Sequence, residues 1–197
     1  MLRGRLVGLR ERRREDVEAL FELHADADHV SLADSRPFEP RPLATRQAEF
    51  DKRQAEPDAR NAFFTIQRLD DDAGVPLGDV GLWMIDLHHR TAHIGISLLP
   101  SARGQGFGRD AVEVVCRYAF EIRGLHRLSL ETLQVNAAMQ ATALACGFVE
   151  EGRLRSAAWF LGRRVDDVLY GLLADEWSAR RAEPARSARS AQPAELA

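Results

Sequence analysis

The sequence predicts a mixed α+β fold: a mostly antiparallel sheet with one central parallel strand pair, flanked by helices. Three observations carry this. Residues 62–69, 77–87 and 92–99 are strand-like runs separated by short turns, which reads as an antiparallel meander. Residues 92–99, 105–122 and 127–133 form a strand–helix–strand passage, whose strands must run parallel through a right-handed crossover. Two helical segments precede the meander and a long hairpin closes the chain.

Taken in order, residues 5–10 read as a first strand. Residues 15–25 read as an amphipathic helix with Val17, Leu20, Phe21 and His24 on one face. Residues 26–42 mix Asp, Ser and three prolines and read as a loop or broken helix pair of the kind that borders a binding cleft. Residues 43–54 are a second helix. After the meander and crossover, residues 137–145 are a short helix stopped by Gly147. Residues 148–159 and 164–173 close as a hairpin around Leu161-Gly162-Arg163. From Ser178 the composition turns to Ala, Arg, Glu, Pro and Ser without hydrophobic period. The expected organisation is therefore one domain over 1–177 and a disordered tail over 178–197.

Composition narrows the function. The chain has 197 residues, 45% of them hydrophobic and 29% charged, enough for one domain with a real core. No apolar run approaches the roughly 20 residues of a membrane helix, and residues 1–5 do not begin a signal peptide, so the expected compartment is the cytoplasm. The formal net charge of −3 and the lack of a basic, aromatic-interleaved stripe argue against a nucleic-acid partner. Cys116 and Cys146 make neither a disulfide framework nor a metal pattern, and no metal is expected.

The most informative stretch is Arg103-Gly104-Gln105-Gly106-Phe107-Gly108, between a strand and a helix. Its glycines allow positive φ and close approach of a ligand to the backbone, and the helix aims its unpaired N–H groups into the bend. Such a bend is an anion site suited to a pyrophosphate. The residues resemble the GCN5-related N-acetyltransferase (GNAT) superfamily, nearest its ribosomal-protein-alanine acetyltransferase-like branch. The family's Arg/Gln-x-x-Gly-x-Gly/Ala motif stands here as Arg103-x-x-Gly106-x-Gly108. Asn136 follows the next strand, with Gly147-Phe148 eleven and twelve residues beyond it. The likeness covers roughly residues 3–175.

That resemblance implies the acyl-CoA N-acyltransferase fold, in which the two parallel strands splay apart. It implies acetyl-CoA as co-substrate, with its pantetheine arm pairing with backbone near Ile96, Leu98 and Leu99. The amides of Arg103, Gly104, Gln105, Gly106, Gly108 and Arg109 would hold the pyrophosphate, and Asn136 would contact the coenzyme further in. The implied reaction is direct acetyl transfer to a primary amine, either a protein N-terminus or a small molecule. A homodimer is compatible with the family.

For the base that deprotonates the amine, His93 leads. Several branches carry a Glu at the equivalent place on that strand, and histidine titrates near neutrality. Glu131 and Asp86 are rivals. Trp83, Trp159 and Phe160 are candidates to line the acceptor pocket. Asp26, Asp28 and Asp34 are candidates to attract a cation. The sequence departs from the family at the acid: the positions that often carry Tyr or Ser, seven and three residues after the Asn, are Ala143 and Met139. Two other readings stay open. A non-catalytic acyl-CoA-binding module fits those apolar positions. An NAD-linked oxidoreductase fits Gly106-x-Gly108-x-x-Ala111 with Glu131 twenty residues on.

Overall fold

The computed structural model describes residues 1–33 and 37–190. Eight strands form one sheet in the order β1-β2-β3-β4-β5-β6-β8-β7. They are β1 (Leu2–Arg3), β2 (Val7–Glu11), β3 (Ala62–Arg68), β4 (Pro76–Asp86), β5 (Thr91–Leu98), β6 (Arg127–Leu133), β7 (Val149–Phe160) and β8 (Arg163–Leu173). Every neighbouring pair is antiparallel except β5 and β6, as the crossover requires.

The helices are α1 (Arg14–Ala19), α2 (Phe21–Ala25), α3 (Ala27–Ala33), α4 (Leu43–Ala55), α5 (Phe107–Arg117), α6 (Ala137–Cys146) and α7 (Ala174–Ser190). α5 carries Ala111, Val112, Val114 and Val115 buried on the sheet. It then closes in a wider π-type turn, where Arg123 N donates to Tyr118 O at 2.9 Å. α6 ends at Gly147, whose φ of 93° is the left-handed stop the sequence suggests.

Three expectations are corrected. The first strand is two, β1 and β2, broken at Gly4 to Leu6. The helix over 15–25 breaks at Leu20, which leaves helical geometry with ψ of 7°; Leu20 and Leu23 are the buried pair, and Phe21 is only half-buried. The 26–42 segment contains α3, in keeping with the broken-helix alternative, and Asp34 lies outside the described residues. The tail does not begin at Ser178. α7 runs to Ser190 because Trp177 is buried against Phe120, with ring centroids 5.5 Å apart, and Arg180 donates to the Ala145 and Cys146 carbonyls. The segment lacks an apolar period because one aromatic and one arginine anchor it.

A buried ion pair ties α1 to the sheet. Arg10 donates to Asp16 at 2.6 and 2.7 Å, to Gln67 at 2.7 Å and to the Gly74 carbonyl at 2.9 Å. Asp16 also accepts from the Thr65 hydroxyl at 2.9 Å and from Arg13 N at 2.8 Å. Burial alone would raise the Asp16 carboxyl, but the bonds from Arg10, Arg13 and Thr65 outweigh it and hold the group below its ordinary value. Asp16→Asn leaves the Arg10 charge buried without a counter-ion, and about 2–3 kcal/mol of stability is expected to go. The sign against pH is fixed by the direction of the shift. The folded value lies below the unfolded one, so the contribution is present above about pH 4 and fades as pH falls through the folded value. Urea midpoints measured from pH 3 to 7 should therefore fall more steeply in acid for the native chain than for Asp16→Asn. Parallel curves would remove this assignment.

Candidate active site

The parallel pair is short. β5 and β6 register only at Thr91 with Arg127, Ala92 with Leu128 and His93 with Ser129. Beyond His93 the strands part, so the β6-facing edge of residues 94–98 has no strand partner. On its other side β5 stays paired with β4 up to Leu98. The gap therefore opens at His93 and runs toward the glycine bend.

At that bend Gly104 and Gly106 take φ of 73° and 82°, and Gly106 caps α5. The amides of Gly104 to Arg109 make no hydrogen bond among the described residues. The first paired amides on either side are Arg103 N, donating to Pro100 O at 3.3 Å, and Asp110 N, donating to Gly106 O at 3.1 Å. Six consecutive free donors at a helix N-terminus form an anion cradle. Gly108 serves packing instead: a Cβ there would stand 3.3 Å from Leu98 Cδ1, so glycine lets α5 lie close on β5. The side chains of Ile96, Leu98 and Leu99 pack on the core cluster.

The side chains of the motif point elsewhere. Arg103 donates to the Leu98 carbonyl at 3.0 Å and meets His29 Nδ1 at 3.1 Å, joining the bend to α3. Gln105 Nε2 donates to Ser101 O at 2.7 Å, and Arg109 Nε lies 4.0 Å from Glu113. Asn136 Oδ1 accepts from Met139 N at 3.1 Å, an N-cap. Its amide NH₂ donates to nothing among the described residues.

His93 sits where the strands divide. Its Nδ1 is 3.7 Å from Glu131 Oε1, and its ring stacks with Trp83 at a centroid distance of 6.0 Å. The His93 side chain is 30% exposed and that of Glu131 52%, so both can exchange protons with water. Asp86 is elsewhere. It accepts from the amides of His88 and His89 at 2.8 and 2.9 Å, bonds that cap the β4–β5 turn and hold its carboxyl below the ordinary value, the wrong direction for a base.

On the face of the sheet that carries His93, a cavity of about 800 Å³ lies against α1, α3 and α4. Asp79 and Ser97, directly paired across β4 and β5, form part of its floor. Asp79 is bound by Arg12 and lies 3.9 Å from His24 Nε2. Burial, with nearby arginines adding to it, pushes the imidazoles of His24 and His29 down. The Nε atoms of Arg12 and Arg46 are buried in this wall without a hydrogen-bond partner among the described residues. Trp159 and Phe160 are not among the lining residues; Trp159 is 63% exposed on the hairpin with Arg164 over its ring. Asp26 caps α3 through the amides of Asp28 and His29, and neither Asp26 nor Asp28 lines the cavity.

None of the side chains at or beside the two usual positions supplies the missing acid. Ala143 is fully buried and Met139 partly so. Thr142 donates its hydroxyl to Ala138 O at 2.8 Å. Burial, with Glu113 adding to it, drives the Cys146 thiol up to about 12, too weak to protonate a thiolate.

Sequence reasoning missed Asp110, His29 and the Arg12–Asp79 pair. An acidic residue in a first helical turn is common, and nothing near Asp110 marks it as a tie to the N-terminal strand.

The family model for an acetyltransferase (GNAT) domain matches residues 6–149. The chain belongs to the GNAT family. Its strand order, with one parallel pair, also excludes the doubly wound array that the dinucleotide reading of Gly106 and Gly108 would need. Among curated relatives, a spermidine N(1)-acetyltransferase of Vibrio cholerae is 35% identical over 92 residues, 47% of this chain and 53% of that protein. A putative ribosomal N-acetyltransferase of Bacillus subtilis is 31% identical over 104 residues, 53% of this chain and 57% of that protein. The chain thus spans about half the length of these two GNAT relatives. The crystal structure of a Vibrio cholerae spermidine N-acetyltransferase in complex with CoA and spermine superposes with a TM-score of 0.78 at 24% identity, covering 87% of this chain and 98% of that one.

Proposed function

We propose that this GNAT chain moves the acetyl group of acetyl-CoA directly to a primary amine. The observation that carries the reading is the run of six unpaired amides, Gly104 to Arg109, at the mouth of a gap that opens at His93. A pyrophosphate on those amides sends the pantetheine arm down the open edge of β5, where Leu99, Leu98 and Ile96 offer backbone partners. That arm is as long as four or five extended residues, about 15 Å, which brings the thioester from the bend to the neighbourhood of His93. Asn136 NH₂ reaches the same arm from the β6 side.

His93, with Glu131 beside it, takes the proton of the incoming ammonium. The amine lone pair attacks the thioester carbonyl, a C–N bond forms, the C–S bond breaks and CoA leaves as thiolate. An N–H on the open β5 edge stabilises the oxyanion. With no acid at Ala143 or Met139, water protonates the thiolate. For a thiol of ordinary pKa this costs about 2 kcal/mol at pH 7, so a modest turnover follows rather than a binding module.

The acceptor enters from the cavity over Asp79 and Ser97. Of its carboxylates, Asp16, Asp79, Glu39, Glu49 and Asp58 each stand beside an arginine, Glu39 and Glu49 sharing Arg41, while Glu11 has no ion-pair partner among the described residues. Most of the wall's negative charge is therefore already paired, and the buried Arg12 and Arg46 Nε atoms offer donors to carbonyl or carboxylate oxygens. This supports a peptide α-amine over spermidine. Thiol release, measured over short peptides and polyamines with acetyl-CoA, should give a higher kcat/KM for a peptide. Spermidine ahead of every peptide would overturn the acceptor assignment, and no thiol release over the whole panel would leave the binding module.

A further inference from the structure

We propose that Arg46 is a carboxylate anchor for the acceptor: it selects a peptide that carries an acidic group at the third or fourth residue from the reacting α-amine. The proposal rests on the acceptor reading above and names what the far end of the same cavity recognises.

Arg46 stands on α4, half-buried in the cavity wall. A guanidinium taken out of water needs a counter-ion, or acceptors for its N–H groups, to offset the lost hydration. Arg46 falls short of both among the described residues. Its one hydrogen bond runs from Nη2 to the His24 carbonyl, a neutral acceptor, at 3.1 Å. Its Nε is buried and unpaired. The other arginines that line the cavity differ: Arg12 is bound to Asp79, Arg41 donates to Glu49 at 2.9 Å, and Arg53 lies 3.9 Å from Glu49. Glu49 is one turn along α4 from Arg46, and its carboxylate is taken up by these two neighbours. Burial lowers the Arg46 guanidinium from its ordinary value, with Glu49 opposing and Arg41 adding to the effect. A positive charge held half-buried with donors open is completed by an incoming anion, and a carboxylate matches the guanidinium fork.

The position of Arg46 sets the spacing. His24, which accepts from Arg46, has its Nε2 3.9 Å from Asp79, and Asp79 is paired directly with Ser97. Arg46 therefore belongs to the Asp79–Ser97 end of the cavity. Asp79 itself is neutralised there by Arg12. Ser97 lies four residues beyond His93 on β5, about 13 Å at the rise of an extended strand. An extended acceptor with its α-amine at His93 spans that distance with its first four residues. The carboxylate that reaches Arg46 is then an acidic side chain at residue three or four, or the C-terminus of a peptide of that length. Spermidine brings only ammonium groups to this point.

The test measures thiol release from acetyl-CoA with C-terminally amidated alanine tetrapeptides that carry Glu or Gln at residue two, three or four. In the native chain, Glu at residue three or four should raise kcat/KM about tenfold over Gln, through KM and not kcat. In Arg46→Gln, used after its thermal midpoint is checked, the ratio should fall to about twofold or less. Arg46→Lys, which keeps the charge but not the fork, should retain part of it. Neutral tri- and tetrapeptides with a free C-terminus separate the two sources. A gain there without one from Glu makes the acceptor a short peptide, and a gain from Glu makes it a longer chain; either supports the anchor. Equal kcat/KM for all Glu and Gln peptides with no gain from a free C-terminus, a preference confined to residue two, or discrimination that survives Arg46→Gln would overturn the anchor and leave the peptide acceptor standing. No thiol release from any peptide would remove the acceptor reading itself, and the anchor with it.

Discussion

Replacing Asp110 with alanine should destabilise the fold by about 3–5 kcal/mol, since each buried donor left unpaired costs about 1–3 kcal/mol. The carboxylate accepts from Arg5 N at 3.0 Å, Leu6 N at 2.8 Å and Val7 N at 2.9 Å, and it is 6% exposed. It sits in the first turn of α5, four residues past the Gly106 cap. One side chain thereby joins the chain entering β2 to the helix whose start makes the amide cradle. Gly4 is part of the same arrangement, because a Cβ there would run into the Asp110 carboxylate. Asp110→Asn keeps one oxygen acceptor and replaces the other with a donor facing an N–H, so it should fall between alanine and the native residue. Urea unfolding of both variants gives the ordering. In the fraction that stays folded, Asp110→Ala should also raise the KM for acetyl-CoA, because α5 loses its tie at the end that carries Gly104 to Arg109. A stability loss below about 1 kcal/mol, an ordinary surface effect, would show that water replaces the carboxylate at those three amides.

This tie also shows where sequence reading stops. The meander, the crossover and the hairpin were legible because each rests on local signals: alternation in 62–69 and 92–99, glycines at 104, 106 and 108, a stop at Gly147. The glycine bend and its free amides were legible for the same reason, since they are carried by backbone and need only residues that permit the conformation. The pairing of Asp110 with Arg5 to Val7 spans more than a hundred positions and uses the backbone of residues with no distinguishing side chain. The contact between Arg103 and His29 is likewise long-range, and it turns a motif arginine away from the bend toward α3. The tail was misread because a helix can be held by Trp177 and Arg180 alone, without the apolar stripe that marks a helix in sequence. Asp86 looked like a possible base because it is a strand-end carboxylate; its two amide bonds to the turn are visible only once the backbone is placed.

His93→Ala should lower kcat by about 10²–10³-fold with little change in the KM for acetyl-CoA, the size expected when a general base is removed. The imidazole stands at the last registered pair of β5 and β6, where the gap between them opens, and away from the glycine bend. Glu131 stands beside the ring, 3.7 Å from Nδ1. Glu131→Gln should therefore cost less, about tenfold, as a second-order electrostatic effect on the ring. The pH profile separates chemistry from structure. Without His93 only the free fraction of the acceptor amine reacts. For a peptide α-amine of pKa about 8 that fraction climbs about tenfold per unit below pH 7 and levels off above pH 8. The variant's log kcat should follow that slope, while the native enzyme's profile is flatter. Trp83, stacked on the ring, gives the control: Trp83→Phe preserves a flat surface against His93 and should leave the native profile in place. If His93→Ala turned over at the native rate across this range, the proton would leave by another route, and Glu131 or a water held at the open β5 edge would become the base.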